Sequence, residues 1–406
     1  MIKKTVCVIG LGYIGLPTAA LLASKGYSVS GVDTNNSIVK NVNKGKIHII
    51  EADLDKFVKS AISKKKLKAF KEIQPSDIYM ICVPTPFKKI GKIPEPNIDY
   101  VISATKNIAP FIKSGNLIIL ESTSPVGTTD KIKQTLIECG VELEGVHIAY
   151  CPERVLPGKI MSELVENDRI IGGITPISTK EVSKFYKIFV NGNIFETDAK
   201  TAEMCKLVEN SFRDLNIAFA NEISMICDKL SINVWDLIKL ANRHPRVNIL
   251  KPSTGVGGHC ISVDPWFIIY KDIKNTKLIR KAREVNNLKT KWVINKIKKI
   301  ADNHFRKTGS KPKIACLGLA FKQDIDDLRE SKAALVAETL LDEGFKIFAV
   351  EPNINSHMKL PLLNFSNAIE QSDIVCILVP HREFLHLQAI DQLNKCGAID
   401  FCGILS

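Results

Sequence analysis

Arginine is scarce in this chain: only 10 of its 56 basic residues are Arg, and the 46 Lys are scattered along the whole length. Base reading and bidentate phosphate binding favour the planar guanidinium fork. The net charge of +13 therefore reads as a solvated, lysine-rich surface rather than as a nucleic-acid or membrane interface. Paired cysteines are missing as well. The 11 Cys are odd in number and none stands at CxxC spacing, so neither a zinc ribbon, a thioredoxin-type site nor a secreted disulfide framework fits. No metal is expected, and a reducing cytoplasm is the expected setting. Long apolar runs are also lacking. Thr5–Ser24 is uncharged between Lys4 and Lys25, but three glycines and Pro17 interrupt it. It reads as strand, turn and helix, not as a signal anchor or a membrane span of roughly 20 residues.

What is present is an ordinary globular composition, 45% hydrophobic and 24% charged over 406 residues, enough for about two to three domains. Short apolar runs at Thr5–Ile9, Tyr27–Val32, Ile78–Val83, Leu117–Leu120 and His147–Tyr150 alternate with helical stretches such as Leu16–Lys25. That rhythm predicts an α/β fold with a parallel sheet covered on both faces. From Lys200 to about Asn295 the pattern turns helical without a clear strand. The alternation returns at Ile314–Leu319, Lys346–Val350, Ile374–Val379 and Ala398–Phe401.

Gly10-Leu-Gly12-Tyr13-Ile14-Gly15 follows a predicted strand, opens a helix, and precedes Asp33 at the end of the next strand. This is the dinucleotide fingerprint: a tight turn at Gly10, backbone approach to the pyrophosphate at Gly12, and close helix–strand packing at Gly15. Asp33 can accept from the adenine ribose hydroxyl and would repel a 2′-phosphate. No Arg occurs before Arg154, so NAD is expected rather than NADP. Thr85 and Thr123 follow later strands of the same unit, where the carboxyl-end loops meet a ligand.

A second candidate site is Gly255-Val-Gly257-Gly258-His259-Cys260-Ile-Ser-Val-Asp264. Glycines bring backbone N–H groups close to the thiol, an arrangement that lowers a thiol pKa or holds an oxyanion. Lys206, Asn210 and Arg213 form one stripe at i, i+4 and i+7 on a helix predicted over Lys200–Leu230. Leu207, Val208, Phe212 and Ile217 suggest that this helix is largely buried, so its cations need an anionic partner. Seven of the ten Arg lie between Arg154 and Arg283, which suits a nucleotide diphosphate.

These segments resemble the nucleotide-sugar dehydrogenase family that includes UDP-glucose and GDP-mannose 6-dehydrogenases. The likeness runs in order through Val8–Ala20, Ile118–Thr128, Tyr150–Gly158, Thr201–Glu222, Leu240–Ile249, Gly255–Phe267 and Gly318–Ser331. Ser262 departs from it, since Pro or Ala is more usual there. The resemblance implies two Rossmann-like doubly wound domains joined by a helical middle: an NAD domain over 1–195, a dimerising middle over 196–300, and a UDP-sugar domain over 301–406. It implies four-electron oxidation of a primary alcohol to a carboxylate with two NAD, through a thiohemiacetal and a thioester on the enzyme. By the same resemblance Cys260 is the nucleophile, Lys206 assists proton transfer and stabilises the oxyanion, Asn210 and Asp264 orient water and the reacting oxygen, and Glu153 activates the hydrolytic water. Arg154, Val155, Lys206, Asn210, Arg213, His244, Arg246, Gly257, Phe321 and Lys322 would contact the UDP-sugar, and Arg329 would contact NAD. The expected partners are the UDP-sugar and a second copy of the chain. A two-electron dehydrogenase of the hydroxyacid type would share the glycine fingerprint but has no need of Cys260. A nucleic-acid-binding protein would explain the charge but neither glycine loop.

Overall fold

The computed structural model describes residues 4–88, 93–156, 158–258 and 260–406. His259, beside the proposed nucleophile, lies outside the described residues. Two compact units result, Met1–Glu209 with Trp266–Asp272, and Asn210–Pro265 with Ile273–Ser406.

The first unit is built on eight strands: β1 (Thr5–Ile9), β2 (Ser28–Val32), β3 (Leu67–Phe70), β4 (Ile78–Ile81), β7 (Leu117–Leu120), β8 (His147–Tyr150), β9 (Arg169–Gly173) and β10 (Ile194–Asp198), with a small hairpin of β5 (Phe87–Lys88) and β6 (Glu95–Pro96) beside them. Their order is β10-β9-β8-β7-β4-β1-β2-β3, so the chain reverses direction across the sheet at β1 and β4. The near-continuous apolar strands follow from burial on both faces. Val6 and Val8 of β1 enter one core cluster, while Cys7 and Ile9 enter the other. Within the eight-stranded sheet all pairings are parallel except β8 with β9, where Tyr150 faces Gly172. β3, β9 and β10 were not predicted from the sequence. β10, Ile-Phe-Glu-Thr-Asp, is an edge strand with no buried residue, so it carries little apolar signal.

The second unit holds a four-stranded parallel sheet of β11 (Lys313–Leu317), β12 (Lys346–Val350), β13 (Ile374–Ile377) and β14 (Ile399–Asp400), in the order β12-β11-β13-β14. Ile314 and Cys316 of β11 face one cluster, and Ala315 and Leu317 the other. Between the sheets in sequence lie helices Ala199–Leu230 and Lys277–Thr308, each of 32 residues. In the second unit they meet along a buried polar seam. Arg283 Nη1 donates to Asp214 Oδ1 at 2.5 Å, Asn286 Nδ2 donates to the same oxygen at 2.7 Å, and Asn221 Nδ2 donates to Asn286 Oδ1 at 2.9 Å. The first long helix is less buried than its sequence suggests. Leu207 is enclosed, but Val208 is 48% and Phe212 67% exposed, and Arg213 is exposed. Helical periodicity places them away from the side that carries Leu207, Asp214 and Asn221.

Candidate cofactor and catalytic sites

The glycine turn joins β1 to helix Gly15–Ser24. Gly10 has φ +91°, and a Cβ there would stand 2.6 Å from the Cys82 carbonyl oxygen; one on Gly15 would overlap the Gly10 oxygen. Gly12 has open space where its Cβ would be, which leaves room for a phosphate to reach the backbone. Asp33 follows β2. Its Oδ2 accepts from Leu11 N at 3.0 Å and its Oδ1 from Asn35 N at 2.8 Å, so the acid and the turn are mutually fixed. Tyr13 packs against the core beneath, and Ile14 stands at the N-cap position without a side-chain capping bond. Thr85 Oγ1 donates to the Thr123 carbonyl at 2.5 Å, tying the loops after β4 and β7. Glu203 then holds that second loop by accepting from Gly127 N, Thr129 N and Thr129 Oγ1 at 2.6–2.7 Å. The residues present fit a dinucleotide.

Beneath these loops lies an acidic network of which sequence reasoning named Glu153 but missed Glu121 and its partners. Glu121, 3% exposed, accepts from Tyr186 Oη at 2.6 Å and from Cys82 Sγ at 3.2 Å. Burial, reinforced by the charge of Glu153, pushes its carboxyl up to about 7. Glu153 Oε2 accepts from Arg169 Nη1 at 3.0 Å, and its Oε1 accepts from Arg154 N at 2.6 Å. The available signal was Arg169 itself, a cation opening an otherwise apolar strand, which requires a buried partner. Arg154 forks onto Glu209, with contacts of 2.8 and 3.2 Å. Val155 packs on the same core.

In the second unit the glycine loop sits on the turn that follows β11. A Cβ on Gly257 would stand 2.5 Å from the Glu330 carbonyl oxygen, and one on Gly258, at φ +80°, would stand 2.8 Å from the Phe321 ring. Gly257 and Phe321, far apart in sequence, are therefore brought together. The loop ends at Cys260, an exposed cysteine, whose carbonyl accepts from Val263 N and Asp264 N. That turn leads into helix Asp264–Lys271. Asp264, 2% exposed, accepts from Asn210 Nδ2 at 2.5 Å. Lys206, half-buried, stands one turn before Asn210 on its helix.

Other expected contacts lie at the surface. His244 and Arg246 are exposed on a loop that Asn242 closes by bonding Ile249 N and Ile249 O at 2.7 and 3.0 Å. Lys322 is exposed, and Arg329 forks onto Asp327 at 2.7–3.1 Å. The expectation that Arg213 is a buried cation needing an anion does not hold, because it lies on the outward face described above. The turn after β11 repeats the Asp33 arrangement without the glycine triplet. Glu351, at the end of β12, accepts from Leu319 N at 2.7 Å and Ala320 N at 2.9 Å, and its Oε2 stands 3.0 Å from His381 Nε2.

A doubly wound NAD unit, with a thiol-bearing glycine loop on a second α/β unit, defines an NAD-binding oxidoreductase. Three family models match in order: the NAD binding domain of the UDP-glucose/GDP-mannose dehydrogenase family over residues 4–190, its central domain over 200–288, and its UDP binding domain over 315–406. The chain belongs to that family. It is 53% identical to a UDP-N-acetyl-D-mannosamine dehydrogenase of Campylobacter jejuni over 96% of this chain and 98% of the relative. It is 48% identical to an NDP-N-acetyl-D-galactosaminuronic acid dehydrogenase of Ralstonia solanacearum over 99% and 96%. The structure of a UDP-D-ManNAc dehydrogenase from Pyrococcus horikoshii superposes with a TM-score of 0.89 at 37% identity, covering 99% of this chain and 96% of that one. No helix among the described residues is long and apolar enough to cross a membrane.

Proposed function

We propose that this chain oxidises C6 of UDP-N-acetyl-D-mannosamine to the uronate, with Cys260 as the covalent nucleophile, for surface polysaccharide synthesis. The observation that carries the mechanism is the exposed Cys260 thiol, held by a glycine loop in the same compact unit as the buried Asn210–Asp264 pair. NAD supplies a hydride acceptor in each of two steps. The balance is one alcohol, two NAD and one water giving one carboxylate, two NADH and three protons. Cys260 adds to the aldehyde carbon and releases its proton, and the resulting thiohemiacetal is again a hydride donor. Lys206 assists transfer of the alcohol proton and stabilises the oxyanion. Asn210 and Asp264 orient the reacting oxygen and water, and Glu153, anchored by Arg169, takes the proton of the water that cleaves the thioester.

The sugar assignment rests on similarity along nearly the whole chain and on the segment around His244. Its Nδ1 accepts from Arg246 N at 3.3 Å, which leaves Nε2–H to donate to an acetamide carbonyl. Arg154 already grips Glu209 and is better suited to fixing the segment after β8. The functional division follows as an NAD domain over 1–195, a middle over 196–300 and a UDP-sugar domain over 301–406. The middle carries Phe212, Phe219, Ile226 and Leu230 exposed along one helix, a stripe suited to a second copy of the chain.

The test is NADH yield and initial rate with UDP-N-acetylmannosamine, UDP-N-acetylglucosamine, UDP-N-acetylgalactosamine and UDP-glucose. Two NADH per N-acetylmannosamine consumed and the highest kcat/KM for that sugar are expected. One NADH per sugar would indicate a two-electron enzyme, and a higher kcat/KM for another sugar would overturn the substrate. Undiminished uronate formation by Cys260→Ala would overturn the covalent mechanism.

A further inference from the structure

A cavity of about 190 Å³ lies in the second unit, where both long helices meet the short helix Val234–Ala241 and the C-terminal turn. No step of the proposed reaction uses it. Its apolar lining includes Trp235, Trp292, Ile399 and Phe401, and its charged groups are Asp228, Lys289, Lys296 and Asp400. Three of the four charges are already matched. Lys296 pairs with Asp228. Asp400 accepts four backbone N–H groups, from Cys402, Gly403, Ile404 and Leu405, at 2.7–2.9 Å.

Lys289 is different. It is 3% exposed, and its Nζ donates to Ser224 Oγ at 2.7 Å and stands 4.0 Å from the centroid of the Trp292 ring. Ser224 directs its own proton to the Asn221 carbonyl at 2.6 Å. Among the described residues no carboxylate lies within ion-pairing distance of Lys289. An ammonium in this position satisfies one of its three donors with a neutral oxygen, and burial without a counter-ion disfavours its charge.

We propose that this cavity binds a small organic carboxylate with a compact apolar body. The carboxylate meets Lys289 Nζ, and the body lies against Trp235, Trp292 and Phe401. The size fits, since a cavity of about 150 Å³ accepts benzene. Phosphate and the larger nucleotide anions are disfavoured by the apolar walls of Trp235, Trp292, Ile399 and Phe401. The binding is proton-linked. Burial first, then the charge of Lys296, brings the Lys289 ammonium down to about 7, against the opposing influence of Asp228 and Cys402. A bound carboxylate restores the charge, so at pH 8 binding takes up a proton.

The experiment is calorimetric titration of the full chain with benzoate at pH 8, in two buffers of different ionisation enthalpy. Expected are saturable binding at one site per chain, a buffer-dependent heat reporting proton uptake, and affinity at least about tenfold above that of the neutral isostere benzamide. Lys289→Met, with an unchanged circular dichroism spectrum as the check on folding, should lose both the affinity and the buffer dependence. Absence of saturable benzoate binding, equal affinity for benzamide, or a buffer-independent heat overturns the proposal. The benzamide and buffer comparisons use the unaltered protein, so the outcome does not hang on the variant folding. Displacement of benzoate by NAD or UDP would place it in the nucleotide sites and would also overturn it.

Discussion

Asp33 ties its own loop to the glycine turn through Leu11 N and Asn35 N, yet it stands only partly buried, so it can still accept from a ribose hydroxyl. Asp33→Ala should weaken NAD binding by about 1–3 kcal/mol, the range for losing charge-assisted hydrogen bonds. It should also narrow the preference for NAD over NADP. Because the turn loses its anchor too, Asp33→Asn should recover thermal stability more fully than cofactor preference. Calorimetric titration of both cofactors against the three proteins separates these effects, and an unchanged preference in Asp33→Ala would mean that the acid does not face the ribose. This residue was legible in the sequence because its partners lie within one βαβ unit, where spacing alone specifies the geometry. Glu121 was not, because what makes it unusual is enclosure by Tyr186 and Cys82, residues that no local pattern links to it.

The two long helices show the same division at the scale of an element. Their lengths follow from unbroken helical periodicity, and the first was predicted to within a residue of Ala199–Leu230. Their pairing could not be read, because Asp214, Arg283 and Asn286 are ordinary helix residues whose partners stand 69 and 72 positions away. The same mixed composition explains why Val208 and Phe212 read as buried: apolar side chains occupy more than one face of this helix, and period alone does not say which face is covered. The seam yields a sharp expectation. Arg283→Met removes the cation and leaves Asp214 buried beside Asn286 alone, at an expected cost of about 3–5 kcal/mol. Converting Asp214 to Leu in the same protein removes the stranded charge and should recover much of that loss. Urea unfolding of the single and double variants checks this, and strict additivity of the two substitutions would show that the groups are not coupled.

Across the whole molecule, the two units carry buried glutamates that respond to pH in opposite directions. In the first, desolvation and the neighbouring Glu153 raise Glu121 from 4.5 to about 7. Its folded form then binds a proton that the unfolded chain has already lost, so stability falls as pH rises from about 4.5 to 7. In the second, desolvation pushes Glu351 upward, but the hydrogen bond and charge of His381 and the Leu319 and Ala320 amides outweigh it and hold the carboxyl at about 2. That contribution is complete above about 4.5 and is lost as pH falls toward 2. Each effect is on the order of 3 kcal/mol. Glu121→Gln preserves an acceptor for Tyr186 but cannot titrate, so it should gain stability relative to the parent at pH 8 and little at pH 4. Glu351→Gln should be destabilised at pH 7 and approach the parent near pH 3. Scanning calorimetry at these values, following the shift of each variant from the parent, isolates the two groups from the other carboxylates. A uniform offset of Glu121→Gln across the range would mean that Glu121 does not titrate between 4.5 and 7, and would make its role one of packing alone.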